Sequence, residues 1–183
     1  MKIATKNDYP EIESILSMDG ESMFQPGGKK MNSLISFQQA YQTLVEVTKF
    51  GSRIERRDAI QRFEDALLTL PQVDQPLKHH FVNKMYWREI FNPKGCIITT
   101  KIHGEPNISV ILRGRLLCIT EDSVSILQAP MMFETKPGTK RVLYAEEDTI
   151  FCTIHPNPED SRDIEALEAR IIAPTFEVLE VPQ

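Results

Sequence analysis

The residues of this chain that could do chemistry lie on short β-rich runs between residues 95 and 155. Thr99, Lys101 and His103 alternate with apolar residues, so all three share one face of a predicted strand. Asn107 and Ser109 share one face of the next run, opposite Ile, Val and Leu side chains. Two polar rows of this kind indicate either a wet pocket or the solvent face of a sheet, and the pattern alone leaves both open.

Nucleophilic chemistry is not indicated by the sequence. The three cysteines, Cys96, Cys118 and Cys152, are widely spaced and lie in apolar runs, and no Cys-x-x-Cys pair occurs, which excludes a zinc ribbon. We expect buried free thiols that pack as small apolar groups. Cys152 and His155 would face opposite sides of a strand, and no GxSxG, P-loop, GxGxxG or HExxH sequence occurs.

Composition indicates a soluble globular protein. The chain has 183 residues, of which 41% are hydrophobic and 26% charged, and its net charge is −5. The acidic balance disfavours a partner recognised through its phosphate backbone, so nucleic acid is not an expected partner. No apolar run approaches the roughly 18 residues of a membrane span, and the N-terminus lacks the apolar core of a secretory signal.

The hydrophobic pattern divides the chain into an irregular N-terminal segment, an α-helical hairpin, a β-barrel, and a C-terminal helix with a tail. These regions are predicted over residues 1–31, 32–71, 72–156 and 157–183. In the hairpin, apolar residues recur at three- and four-residue steps, Gly51 ends the first helix, and Pro71 ends the second. Each apolar stripe must bury against something, either the barrel or the hairpin of another copy.

Eight strands are predicted in the barrel, separated by Pro, Gly, Asn and Asp turn signals. They are placed near residues 85–91, 96–102, 107–113, 115–120, 123–128, 131–135, 140–145 and 149–155. Residues 72–82, which carry His79 and His80, are interpreted as a polar connector. The C-terminal helix is expected to begin in the sequence Asn157-Pro158-Glu159-Asp160, where Asn would be the cap.

Two stretches resemble the sequence motifs of the cupins. Gly95–Gly114 resembles the first motif and Lys136–Arg141 resembles the second. Over about residues 70–165 the chain also resembles small cupin-like, RmlC-like jelly-roll proteins encoded by tailed bacteriophages. That resemblance is carried by Trp87-Arg88-Glu89-Ile90, Pro93-Lys94-Gly95, Lys101-Ile102-His103, Lys136-Pro137-Gly138-Thr139-Lys140-Arg141 and Thr153-Ile154-His155.

The resemblance implies a mainly β fold with α-helices: a cupin-like antiparallel β-barrel or jelly roll, preceded by an α-helical hairpin and followed by a short C-terminal helix. It implies little about function, because the role of the phage family is largely unassigned and cupins host many activities.

The resemblance also implies where a metal would bind. A catalytic cupin holds a divalent metal with histidines and a carboxylate, whereas three of those positions here carry Lys101, Asn107 and Arg141. Two cations at such positions would repel a metal ion. We therefore predict no catalytic residues, no metal and no cofactor. A metal site formed by His103, Glu105 and His155 is the disfavoured alternative.

The same positions predict an anion site instead. Lys101, Arg141 and His103 would supply donors from different strands, and a guanidinium offers a planar fork to carboxylate or phosphate. The predicted ligand-binding set is Lys101, His103, Asn107, Arg141 and His155. The alternative is a structural network in which Lys101 or Arg141 pairs with a glutamate.

Three functions follow as hypotheses. The first is a non-catalytic, virion-associated structural or assembly protein of a phage, which oligomerises or docks through its helices. Its expected partners are further copies of itself and other virion proteins, with no membrane, and its expected location is the host cytoplasm or the virion. The alternative is a sensor or sponge that binds an anionic small molecule or nucleotide in the barrel mouth, and a metal-dependent cupin enzyme is the third hypothesis.

Overall fold

The computed structural model describes residues 42–176 together with Gln39 and Leu179. The irregular N-terminal segment and the start of the first predicted helix lie outside the described residues, as does most of the tail after residue 176. Among the described helices, none is long and apolar enough to cross a membrane.

Three helices and eleven strands occur in the part of the chain that the structure describes. The helices are α1 (42–50), α2 (Arg53–Leu67) and α3 (Ile164–Ile171). The strands are β1 (Leu77–Val82), β2 (Met85–Asn92), β3 (Ile97–Thr99), β4 (Ile102–His103), β5 (Asn107–Arg113), β6 (Arg115–Thr120), β7 (Val124–Gln128), β8 (Met131–Thr135), β9 (Arg141–Ala145), β10 (Thr149–Pro156) and β11 (Ile172–Ala173).

The strands form two facing antiparallel sheets. Their orders are β1-β2-β10-β5-β8 and β3-β9-β6-β7, while β4 pairs separately with β11. Without β1, these are the two four-stranded sheets of a double Greek key, which is the jelly roll. Phe151 and Ile111 of the first sheet pack in one buried cluster with Leu116 and Leu143 of the second. The predicted fold class is therefore confirmed.

Strand β1 corrects the prediction of a polar connector over residues 72–82. It pairs with β2 along its whole length, from Leu77 opposite Ile90 to Val82 opposite Met85. The hairpin turns at Asn83 and Lys84, both with positive φ (41° and 63°), which is the backbone that a two-residue turn needs. Because the turn contains no glycine and β1 is a polar edge strand, the sequence signal for a hairpin was weak.

Helix α3 begins later than predicted. Its N-cap is Asp163, whose side chain accepts a hydrogen bond from the Ala166 N–H at 3.1 Å. Asn157 instead closes a turn: its Oδ1 accepts from the Ser161 N–H at 3.1 Å, and its Nδ2 donates to the Ser161 carbonyl at 2.8 Å. Asn favours helix caps and turns by the same hydrogen bonds, so residue type alone did not separate the two.

The first helix of the hairpin ends at Gly51, as predicted. The Gly51 N–H donates to the Val47 carbonyl at 2.8 Å where α1 ends. Ser52 then caps α2 in a capping box, because its hydroxyl accepts from the Glu55 N–H and the Glu55 carboxylate accepts from the Ser52 N–H.

The hairpin packs on its own barrel. Leu44, Ile60 and Phe63 form one buried cluster with Ile119 of β6 and Val142 of β9, on the outer face of the four-stranded sheet. The sequence left open whether this stripe covers the barrel or another copy, and the structure places it on the barrel.

Ion pairs hold the start of α2 to the same sheet. The buried carboxylate of Glu121 accepts from Arg53 at 2.5 Å and from Arg57 at 2.7 Å. Lys140 of the barrel pairs with Glu64 further along α2 at 2.6 Å. The four-stranded sheet is therefore covered on both faces, by the barrel core inside and by the hairpin outside.

Candidate functional site

The barrel interior has two chemically different halves. The apolar half consists of Cys96, Ile111, Leu116, Cys118, Leu127, Leu143, Ala145 and Phe151. The polar half consists of Tyr86, His103, Asn107, Ser109, Thr135, Arg141 and His155, all of them buried. Strand pairing brings the polar residues together, because His155 lies opposite Tyr86 and Asn107 lies opposite Thr135.

A chain of hydrogen bonds crosses the polar half. The Arg141 Nη2 donates to the Thr135 hydroxyl at 2.9 Å, and that hydroxyl lies 2.6 Å from the Ser109 hydroxyl. Ser109 donates to the Asn107 Oδ1 at 3.5 Å, and the Asn107 Nδ2 lies 2.8 Å from the His103 Nδ1. Because the Asn107 amide nitrogen can only donate, the His103 Nδ1 is the acceptor of this hydrogen bond. The ring proton of neutral His103 is therefore on Nε2.

The two buried histidines of the polar half are neutral at pH 7. Their rings meet edge to face at 4.9 Å. Burial, with Arg88 and Arg141 nearby, lowers the pKa of His103 to about 4. Burial and the neighbouring His103 lower the pKa of His155 to about 3. Neither nitrogen of His155 has a hydrogen-bond partner among the described residues.

Arg141 is a buried cation without an anionic partner in the described chain. Its guanidinium contacts the Thr135 hydroxyl, the Cys118 thiol and the Phe133 ring, whose centroid lies 5.5 Å away. Burial lowers its pKa. An uncompensated charge in a low-dielectric interior is costly, so Arg141 makes the polar half receptive to negative charge.

A cavity of about 230 Å³ opens beside the polar half, between β1, β2 and β10 on one side and β3, β4 and β9 on the other. Its charged or ionisable lining residues are Arg88, Lys101 and His103. The remaining lining residues are Gln75, Leu77, Ile90, Asn92, Ile98, Thr99, Thr100, Leu143, Phe151 and Thr153. The uncharged lining of the cavity is thus half polar and half apolar, and the cavity is basic at the end where Arg88 and Lys101 lie.

One carboxylate lies between the two cations of this cavity. The Lys101 Nζ lies 2.9 Å from the Glu168 Oε2, and the Arg88 Nη1 lies 3.4 Å from the Glu168 Oε1. Lys101, and less strongly Arg88, hold the pKa of the Glu168 carboxyl below its usual value. With one carboxylate against two cations, this end of the cavity keeps a net positive charge.

Glu168 belongs to α3, which covers the polar end of the barrel. Leu167 and Ile171 of α3 pack in a buried cluster with Tyr86. Arg170 donates to the Glu105 carboxylate at 3.1 Å and to the Pro156 carbonyl. Helix α3 is thus fixed to the barrel by apolar packing and by an ion pair that is separate from Glu168.

Four of the five predicted ligand-binding residues lie in the polar half. His103 contacts both Asn107 and His155, and Arg141 is joined to Asn107 through two hydroxyl groups. Lys101 lines the cavity but is bonded to Glu168.

Glu105, the carboxylate of the alternative metal set, is paired with Arg170. In the part of the chain that the structure describes, no group of three or more His, Cys, Asp or Glu side chains could hold a metal ion.

Sequence reasoning missed Arg88 and Glu168 as site residues. Arg88 was noted only as part of a resemblance, although alternation places it on the same face of β2 as Tyr86 and Ile90. The sequence did not show that Arg88 is partly buried, opposite Thr153 of β10. Glu168 had no sequence signal, since its position depends on how α3 packs on the barrel.

Comparison with solved structures finds cupins among the chains that are similar to this one. It is similar to a cupin-2 domain containing protein from Shewanella frigidimarina, with 17% identity, a TM-score of 0.37, and coverage of 51% of this chain and 91% of that chain. It is also similar to an RmlC-like cupin family protein from Methanocaldococcus jannaschii, with 13% identity, a TM-score of 0.38, and coverage of 49% and 89% respectively.

A third similar structure is a putative ethanolamine utilization protein from Salmonella typhimurium, with 12% identity, a TM-score of 0.40, and coverage of 46% of this chain and 71% of that chain. No protein-family model and no curated protein matches the chain. The strand order defines the fold class, which is a cupin-like jelly roll with an added helical hairpin and C-terminal helix.

Proposed function

We propose that this protein is a sensor or sponge that binds a small anionic molecule, a carboxylate or a phosphate, in the cavity beside the polar half. The observation that carries this proposal is that Arg88, Lys101 and His103 line one cavity. Arg88 offers a fork of N–H donors, Lys101 a compact charge, and neutral His103 an Nε2–H donor.

The ionisation of the interior supports binding rather than catalysis. The pKa values of His103 and His155, about 4 and about 3, are far below those of an efficient general base at neutral pH. Burial raises the pKa of Cys96 and of Cys118 to about 11, so both remain thiols, which are poor nucleophiles.

The size of the cavity narrows the class of ligand. Its volume of about 230 Å³ lies below the roughly 300–1,000 Å³ of pockets for drug-sized molecules. A short organic acid or a phosphate monoester therefore fits the proposal better than a whole nucleotide.

A thermal-shift assay with succinate, citrate, inorganic phosphate and glycerol 3-phosphate tests the proposal. A ligand at a hundred times its Kd should stabilise the folded chain by about 2.7 kcal/mol. Arg88→Gln and Lys101→Gln should abolish the shift. Lys78→Gln is the matched control and should preserve it, because Lys78 forms a similar ion pair, with Glu89 at 2.8 Å, outside the cavity. Absence of a shift with all four probes would refute the proposal.

A phage structural or assembly role, through docking or oligomerisation of the helices, is the second proposal. It is supported by three exposed apolar residues of the hairpin, Phe50, Ile54 and Leu68, which are 89%, 72% and 63% exposed. Size-exclusion chromatography with light scattering tests oligomerisation: Phe50→Ser with Ile54→Ser should convert an oligomer to a monomer. A wild-type chain that is monomeric at all concentrations and does not bind virion proteins would refute this role.

A further inference from the structure

Glu168 places a carboxylate where the proposed ligand would bind. Its two oxygens are divided between the two cations of the cavity, one to Lys101 at 2.9 Å and one to Arg88 at 3.4 Å. A carboxylate from an external acid would make the same pair of contacts. The side chain of Glu168 is only partly buried, at 29% exposure, so it can leave the cations for solvent.

Helix α3 has other contacts that hold it to the barrel. Leu167 and Ile171 already bury the apolar face of α3, and Arg170 already pairs with Glu105. Partly exposed ion pairs contribute roughly 0–1 kcal/mol to stability. A glutamate in the last turn of a helix also lies near the negative end of the helix dipole, which is unfavourable. Glu168 is therefore better explained by its contacts with the cavity than by the stability of its helix.

We propose that Glu168 is a built-in carboxylate ligand of the anion site, which an external acid must displace. This inference rests on the proposed anion-binding function and adds a means of setting its affinity. While Glu168 is bound to Arg88 and Lys101, the site is closed to competitors, and only the fraction of molecules with Glu168 released can bind ligand. The apparent affinity is lowered by that fraction.

The same geometry selects the ligand. Since Arg88 and Lys101 are spaced to share one carboxylate, a carboxylic acid should replace Glu168 most directly. A second acceptor on the ligand would lie toward the Nε2–H of His103, which lines the same cavity. Succinate, a short dicarboxylate, is therefore the probe of choice.

The direct test is calorimetric titration of succinate into the wild type and Glu168→Gln. The substitution keeps the size of the side chain and removes its charge, so it should tighten succinate binding by about tenfold. If Glu168 were instead an ordinary contact of the ligand, or if the substitution damaged the fold, Glu168→Gln would weaken succinate binding. Glu105→Gln is the matched control: it removes the other ion pair between α3 and the barrel, does not touch Arg88 or Lys101, and should leave the affinity unchanged.

The outcomes separate this inference from the proposed function. If the wild type binds succinate but Glu168→Gln binds it equally or more weakly, the competing role of Glu168 is wrong and the anion site stands. If neither protein binds succinate or the other three probes, both the site and the competition are wrong. Tightening by Glu105→Gln as well as by Glu168→Gln would assign the effect to loosening of α3 and would also overturn the inference.

Discussion

On β5 the inward side chains change from Asn107 and Ser109 to Ile111, and on β9 they change from Arg141 to Leu143. The apolar and polar halves of the barrel thus share three strands, β5, β9 and β10, along which the inward side chains change character. Burying a large apolar side chain stabilises the fold by about 1.5–3 kcal/mol. A buried hydrogen bond adds only about 0.5–1.5 kcal/mol net, because most of its gross strength offsets desolvation. The jelly roll therefore draws most of its stability from its apolar half.

Truncation in the apolar half should have the largest effect on stability. Leu143→Ala should cost about 2–5 kcal/mol, because Leu143 is fully buried and its loss leaves a cavity. Urea unfolding at pH 7 measures the change. Leu112→Ala is the control on the exposed outer face and should cost less than about 0.5 kcal/mol. Equal costs for the two variants would contradict the assigned core.

Acid should destabilise the fold through the two buried histidines of the polar half. His103 and His155 have folded-state pKa values of about 4 and about 3, below the ordinary value of 6.5. Below pH 6.5 the unfolded chain therefore binds more protons than the folded chain. Stability should be complete above pH 6.5 and fall by up to about 1.4 kcal/mol per pH unit for each histidine on the way to pH 4.

Urea unfolding at pH 7, 6 and 5 measures this loss of stability. These pH values are chosen because most carboxylates titrate at lower pH. Burial is the largest cause of both pKa shifts. Arg88, Arg141 and Lys101 also lower the pKa of His103, against Glu168, whereas His103, Arg88 and Arg170 also lower the pKa of His155. His155→Phe should remove about half of the pH dependence, since one of the two buried imidazoles is then absent. A stability that is constant between pH 7 and pH 5 would show that these histidines are not buried in neutral form.

Breaking the hydrogen-bond chain should have a smaller effect. Thr135→Val keeps the shape of the side chain but removes the acceptor of Arg141 and the partner of Ser109, and should cost about 1–3 kcal/mol. Thr139→Val is the control, because the Thr139 hydroxyl donates to the Lys136 carbonyl in an exposed turn. Thermal unfolding distinguishes the two variants, and equal losses would argue against a special role for the buried chain.

The smallest effect on stability is expected at the cavity cations. Lys101→Gln should change the free energy of unfolding by less than about 1 kcal/mol, because the Lys101 side chain is half-exposed and its ion pair is screened by solvent. The same variant should lose anion binding. A large loss of stability would instead show that the Lys101–Glu168 ion pair stabilises the fold, and this would weaken the proposed function.

The sequence predicted the fold better than the site. Alternation of apolar residues placed the strands from β2 to β10 to within a few residues, since the inward side chains repeat with a period of two. Strand β1 was missed because Lys78 and His79 make it polar and Asn83-Lys84 is an uncommon turn sequence.

For the site, alternation identified His103 and Asn107, which lie near one another in sequence and do bond to each other. Arg88 and Glu168 contribute to the site through contacts between elements that are far apart in the chain. Such contacts depend on how the sheets and α3 pack, and local periodicity carries no information about that packing.

Histidine-selective 15N NMR at pH 7, with titration of succinate, tests the central claim most directly. The account predicts that His103 is neutral with its proton on Nε2, and that succinate shifts the His103 Nε2–H resonance in the wild type but not in Arg88→Gln. A charged His103, a proton on Nδ1, or a resonance unmoved by succinate at millimolar concentration would contradict an anion site in the cavity beside the polar half of this barrel.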